Sequence, residues 1–151
     1  MDSFNENVVF IKTKNENIKI PTKATCGSAG FDIYADIESE VTINPGDLVK
    51  IPTGISISLP GPEFVAFLFS RSGLAVNHGI SLSNGVGVID SDYRGEIMVG
   101  LCNLGKEIYT IKPQERIAQM IIMPVSNMSL LRVSSLDETG RGSKGFGSTG
   151  K

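Results

Sequence analysis

Apolar and polar residues alternate along much of this chain with a period of two. In Ile55-Ser56-Ile57-Ser58-Leu59 every second side chain is apolar, the pattern of a strand with one face against a core. Val41-Thr42-Ile43 repeats it, and the Asn44-Pro45-Gly46-Asp47 that follows has the residue types of a tight turn. Leu48 to Ile51 resumes the strand pattern up to Pro52-Thr53-Gly54, and Pro60-Gly61-Pro62 stops the next run. Phe64 to Phe69 is a continuous apolar run of strand length, expected to be buried on both faces. Ile117 to Met123 admits helix or strand by periodicity, but its short length and the flanking Pro113 and Pro124 favour a strand. Gly85 to Ile89 and Glu96 to Leu101 flank Asp90-Ser91-Asp92-Tyr93-Arg94-Gly95, which reads as a hairpin with a longer loop. A turn or two of helix near Ser72 to Asn77 is the only helix expected. With turn signals about every 8–12 residues, the fold class is all-β, a sandwich or barrel.

The length, 151 residues, suits one domain with a sizeable core. Residues 1–137 are expected to form that core. Residues 138–151 differ in kind: rich in Gly and Ser, they read as a flexible C-terminal arm. The net charge of −2 argues against a sequence-independent grip on nucleic acid, though it leaves room for a nucleotide site built from a few local cations. Two cysteines, Cys26 and Cys102, and one histidine, His78, supply no zinc-type cluster. They read as free thiols in a reducing compartment, with His78 a surface or core residue. No stretch resembles a signal peptide or a membrane span, so a cytoplasmic location and no membrane partner are expected.

Two motifs in the arm mislead. Gly140-Arg141-Gly142-Ser143-Lys144-Gly145 fits GxGxxG, and Gly145 to Lys151 fits most of a P-loop. Neither follows a βαβ strand, and the chain stops where the helix should begin. The arm is either a disordered terminus or a lid. Phe146, a lone aromatic among glycines, favours a lid that docks on a flat partner such as a nucleobase, with Arg141, Lys144, Ser148 and Thr149 near phosphates.

Three further places carry candidate chemistry. Asp32 lies in an apolar alternating segment, so it either faces water on an edge strand or is paired or metal-linked. Arg71-Ser72-Gly73 offers a guanidinium, a hydroxyl and backbone N–H groups together, either an anion cradle or a helix start capped by Ser72. Asn84-Gly85-Val86-Gly87-Val88-Ile89-Asp90 has two glycines in a strand pattern, a sign of close backbone approach or a bulge. Asp90 at its end is either a functional carboxylate or an ordinary turn residue.

Together these segments resemble the trimeric dUTP pyrophosphatase (dUTPase) family, whose motifs occur here in order: AGFDIYA at 29–35, RSGLA at 71–75, NGVGVIDSDYRGEI at 84–97, ERIAQM at 115–120 and RGSKGFGSTG at 141–150. The resemblance implies a distorted jelly roll of the β-clip type, a homotrimer with shared active sites, and an arm that closes over bound substrate. It implies hydrolysis of dUTP to dUMP and pyrophosphate, which limits uracil in DNA and supplies dUMP for thymidylate synthesis. Asp90 would be the general base, and Asp32 would support Mg²⁺ through water. Arg71, Ser72, Gly73, Gln119, Arg141, Ser148 and Thr149 would hold phosphates. Phe146, with Gly147 beside it, would stack on the uracil. Asn84 would read the base edge, Gly87, Val88, Ile89 and Met98 would line its pocket, and Tyr93 would sit under the deoxyribose. Two departures stand out. Ser70 replaces a common Pro, and Gln114 replaces a common Gly, so a type I turn is expected at Gln114 to avoid positive φ. Two other readings stay open: a dCTP deaminase-like enzyme, and a jelly-roll nucleotide-binding module without turnover.

Overall fold

The computed structural model describes residues 8–143 and 145. Eleven strands and one short helix follow in chain order among them. They are β1 (Phe10–Thr13), β2 (Phe31–Tyr34), β3 (Val41–Ile43), β4 (Leu48–Pro52), β5 (Ile55–Ser58), β6 (Phe64–Phe69), α1 (Ser72–His78), β7 (Ile80–Leu82), β8 (Gly87–Ile89), β9 (Met98–Asn103), β10 (Tyr109–Ile111) and β11 (Arg116–Pro124). The all-β expectation holds.

Pairing is antiparallel throughout. The strands order as β2-β11-β6-β8, as β4-β9-β7, and as the pairs β1-β5 and β10-β3. No strand among the described residues pairs with its neighbour in sequence. All four groups face one core, dominated by Ile33, Ile43, Ile51, Ile55, Ile80, Ile97, Ile111 and Ile117. Isoleucine suits this place because its branched side chain is stiff and packs well on a pleated surface.

Three expectations are corrected. The stretch Gly85 to Leu101 is not a hairpin: β8 pairs with β6, whereas β9 pairs with β4 and β7. The divergence is fixed at residues 96 and 97, where Glu96 Oε1 accepts the Gly54 N–H at 2.8 Å and the Ile97 N–H reaches the Ile55 carbonyl at 2.8 Å. Strand β6 is buried at Val65, Ala66 and Leu68, but Phe64, Phe67 and Phe69 are only half-buried. Gln114 does take positive φ, 59°, at the third position of a Lys112–Glu115 turn closed by the Glu115 N–H on the Lys112 carbonyl. Three hydrogen bonds hold it: the Gln114 N–H donates to the Ala35 carbonyl, and the Glu115 carboxylate accepts from the Lys112 N–H and the Tyr109 hydroxyl. Burial, and then that carboxylate, push the Tyr109 phenol well above its ordinary range, so it stays a donor. Gln114→Gly should remove roughly 1–2 kcal/mol of left-handed strain, partly offset by the freer unfolded chain. The expected result is a melting temperature about 1–3 °C higher in a thermal scan; a fall would mean that the Gln114 side chain itself stabilises the turn.

Strand structure ends at Pro124, ahead of residue 138, where the sequence suggested that the arm begins. The stretch between is exposed, including Met128, Leu131, Leu136 and the fully exposed Leu130. Among the described residues no helix is long and apolar enough to cross a membrane.

Candidate functional site

Asp32 sits on β2, the edge of the four-stranded sheet, opposite Gln119 on β11. It does not face open water. Its side chain is 14% exposed, with one oxygen 3.2 Å from Arg71 Nε and the other 3.2 Å from Arg116 Nη1. Of the two placements open for Asp32, the paired one holds. Two cations to one anion leave the group net positive.

Around this pair lies a cleft of about 320 Å³, lined by Ala24, Ser28, Gly30, Asp32, Arg71, Ser72, Gly73, Arg116 and Gln119, together with Ala29. Four of the expected phosphate ligands, Arg71, Ser72, Gly73 and Gln119, thus meet in one place. Ser72 is not a cap; it is the first helical residue, and the N-cap position falls on Arg71 without a side-chain cap bond. Gln119 is aimed by its Nε2, which donates to the Ser70 carbonyl at 3.0 Å. Residue 30 packs against the Gln119 side chain: a Cβ there would lie 2.9 Å from Gln119 Oε1 and 3.3 Å from its Cβ, so a larger residue would push the Gln119 amide aside.

Arg116 is the cleft residue that sequence reading did not single out. In a regular strand, residues three apart face opposite sides. A register shift between Arg116 and Ala118 brings Arg116 and Gln119 to the same cleft. The available signal was the Glu115-Arg116 pair of charges ahead of the apolar run Ile117 to Met123.

The second group of candidates lies elsewhere. Asp90 directly follows β8, is exposed, and lines a separate depression of about 840 Å³ with Pro60, Phe67, Val88 and Arg94 among others. On β8, Val88 points outward, while Ile89 belongs to the core and can offer a ligand only its backbone. Gly87 packs so closely on Leu68 that a Cβ would come within 2.9 Å of the Leu68 Cβ, the close approach the sequence pattern suggested. Tyr93 is half-exposed and held by its hydroxyl, which donates to the Glu96 carbonyl at 2.9 Å. Asn84 is exposed in the turn after β7. That turn runs beside β9 through the Ser83 N–H on the Gly100 carbonyl, 3.0 Å, near the half-buried Met98.

Arg141 is exposed beside a turn in which the Gly142 N–H meets Thr139. Phe146, Gly147, Ser148 and Thr149 lie outside the described residues. Cys26 and Cys102 are free thiols, the first exposed and the second buried. His78 ends α1 with its ring 5.0 Å from that of Tyr109, away from the cleft lining.

No cluster of three or more His, Cys, Asp or Glu side chains suited to a metal ion occurs among the described residues. Each Asp32 oxygen already serves one arginine, and a carboxylate oxygen has room for a second hydrogen bond. A metal ion directly on Asp32 would lie beside two guanidinium groups that repel it; a hydrogen bond from a metal-bound water to the remaining lone pair keeps the ion farther from them. The cleft therefore fits a Mg²⁺ ion carried chiefly by phosphate oxygens and water.

Comparison with known proteins covers nearly the whole chain. A family model described as dUTPase matches residues 16–150. The deoxyuridine 5'-triphosphate nucleotidohydrolase of Desulfitobacterium hafniense is 50% identical over 150 residues, 99% of each chain. The protein of the same name from Neisseria gonorrhoeae is 51% identical over 131 residues, 87% of each. Among solved structures, the Staphylococcus bacteriophage 80alpha dUTPase with dUPNHPP superposes with a TM-score of 0.86 at 25% identity, covering 96% of this chain and 99% of that one. Its G164S mutant with dUpNHpp gives a TM-score of 0.83 at 26% identity, covering 96% and 99%.

Proposed function

Because this chain belongs to the dUTPase family and hydrolyses dUTP to dUMP and pyrophosphate, we propose that it works as a homotrimer of distorted jelly rolls with each active site shared between subunits. The observation that carries this reading is the separation of the two candidate groups. The cationic cleft holds Asp32, Arg71, Gln119 and Arg116, but Asp90 does not line it. A neighbouring copy would supply the carboxylate that a single chain keeps apart from its own phosphate ligands. The exposed apolar residues between Met128 and Leu136 support assembly, since burying them against a second copy removes apolar surface from water.

In this mechanism Asp90 accepts a proton from a water molecule. The water oxygen bonds to the α-phosphorus in line, the bond from that phosphorus to the bridging oxygen breaks, and pyrophosphate leaves. Arg71, Ser72, Gly73, Gln119 and Arg116 hold the phosphates. From the arm, residues 138–151, Arg141, Ser148 and Thr149 add donors, and Phe146 with Gly147 covers the uracil. Mg²⁺, with Asp32 accepting from one of its waters, would neutralise charge on the triphosphate and on the leaving group. Asn84 and backbone groups of the 84–98 segment pair with the uracil edge, beside Gly87, Val88, Ile89 and Met98. Cytosine would leave these groups unpaired, a mismatch worth ~10⁴-fold or more. Tyr93, held by Glu96, sits under the deoxyribose and leaves no room for a 2′-hydroxyl.

Pyrophosphate release from dUTP, dCTP, dTTP and UTP with Mg²⁺ tests this. Release from dUTP alone is expected. Comparable release from dCTP or UTP would overturn the account of base and sugar selection. No release from any of the four by folded protein would favour a nucleotide-binding module.

A further inference from the structure

Ser70 does not line the phosphate cleft, yet it is bonded to both parts of the candidate site. It joins β6 to α1, directly before Arg71. Its carbonyl accepts from Gln119 Nε2 at 3.0 Å, which aims that side chain into the cleft. Its hydroxyl accepts the Leu82 N–H at 2.9 Å and lies 3.0 Å from the Ser81 hydroxyl, both on β7. Leu82 is the root of the turn that carries Asn84: its carbonyl accepts the Gly85 N–H at 3.1 Å. The Leu82 N–H is thus held by Ser70 and the Leu82 carbonyl by the turn. A proline at this position has no hydroxyl to offer.

We propose that Ser70 is a positioning residue for base recognition: its hydroxyl sets the direction of the Asn84 turn relative to the strand that ends at the phosphate ligands. This rests on the dUTP-hydrolysing reading above. Losing the hydroxyl strands the part-buried Leu82 N–H and frees the turn, while the Ser70 carbonyl, a backbone group, keeps Gln119 in place. The base half of the site should therefore loosen and the phosphate half should not.

The test uses the full chain, with deoxyuridine and inorganic tripolyphosphate as separate competitive inhibitors of dUTP hydrolysis. In Ser70→Ala the inhibition constant for deoxyuridine should rise about tenfold, because the freed turn must be re-ordered when the base binds. That for tripolyphosphate should stay within about twofold, and Ser70→Thr, which keeps a hydroxyl, should restore deoxyuridine binding to within about twofold. If Ser70→Ala does not fold, Ser81→Ala removes one of the two hydroxyl contacts and should show the same asymmetry at about threefold. Equal weakening of both inhibitors would mean a merely structural role and would overturn the proposal, as would unchanged deoxyuridine binding in an active enzyme. A wild-type chain without dUTP hydrolysis would overturn the enzyme reading itself, and this assignment with it.

Discussion

Asp90→Asn is expected to lower dUTP turnover about 10²–10⁴-fold, the usual worth of a general base. Asparagine keeps the size and much of the hydrogen bonding of aspartate but cannot take a proton from water. Asp90 is exposed at the end of β8, so the fold should not respond. Single-turnover hydrolysis should show the loss, while a non-hydrolysable imido analogue of dUTP should bind within about threefold of the parent, because the lost interaction acts in the transition state. Turnover at the parent rate would leave Asp90 an ordinary loop carboxylate.

Asn103→Asp should give the largest loss of stability. Asn103 is 1% exposed, and its Nδ2 donates to the carbonyls of Ile43 at 2.9 Å and Glu107 at 2.8 Å, while its Oδ1 accepts the Gly105 N–H at 2.9 Å. The side chain thus ties β9 to the end of β3 and to the loop before β10. An ionised carboxylate cannot donate, so two carbonyls would face a buried anion, at a cost of about 3–5 kcal/mol. Burial and the facing carbonyls would raise the new carboxyl's folded-state pKa above its unfolded value. The destabilisation should then be largest above the folded pKa and ease as the pH falls through it, when the protonated acid donates one bond. Denaturant midpoints at pH 7 and pH 5 check both points; no change at pH 7 would show that the three segments hold together without this side chain.

Sequence pattern located β4, β5, β6 and β11 because each has at least four residues of alternation or an apolar run, bounded by Pro or Gly, and it located the three-residue β3 through the Asn44-Pro45-Gly46-Asp47 turn that follows it. It missed β1, Phe10–Thr13, which has no Pro or Gly beside it, and β7 and β10, Ile80–Leu82 and Tyr109–Ile111, which have three residues each and no four-residue turn signal like the one after β3. Residues 85–101 misled because alternating runs around a loop look alike whether the strands pair with each other or with distant partners. For the site, the match to family motifs, not any spacing rule, identified Asp32, Arg71 and Gln119 as companions across the chain. Arg116 escaped because a bulge, which leaves no mark in a hydrophobic pattern, turned it to the side of Gln119. The two arginines on Asp32 were also illegible, since ion pairs follow from strand register, and register here is set between β2 and β11 at opposite ends of the sequence.

The ladders have a further consequence for how this chain reaches its fold. With every described pair skipping at least one strand, no local turn can zip two consecutive strands together as a first step. Chain entropy must be surrendered over long loops before any ladder hydrogen bonds form in return, most of all for β2 with β11. The fold therefore belongs to the slow, topology-limited class of small β proteins. During that delay, Phe64 to Phe69 and Arg116 to Pro124 stand unpaired as apolar strands that can meet those of other chains, so dilution during refolding favours the native route over aggregation.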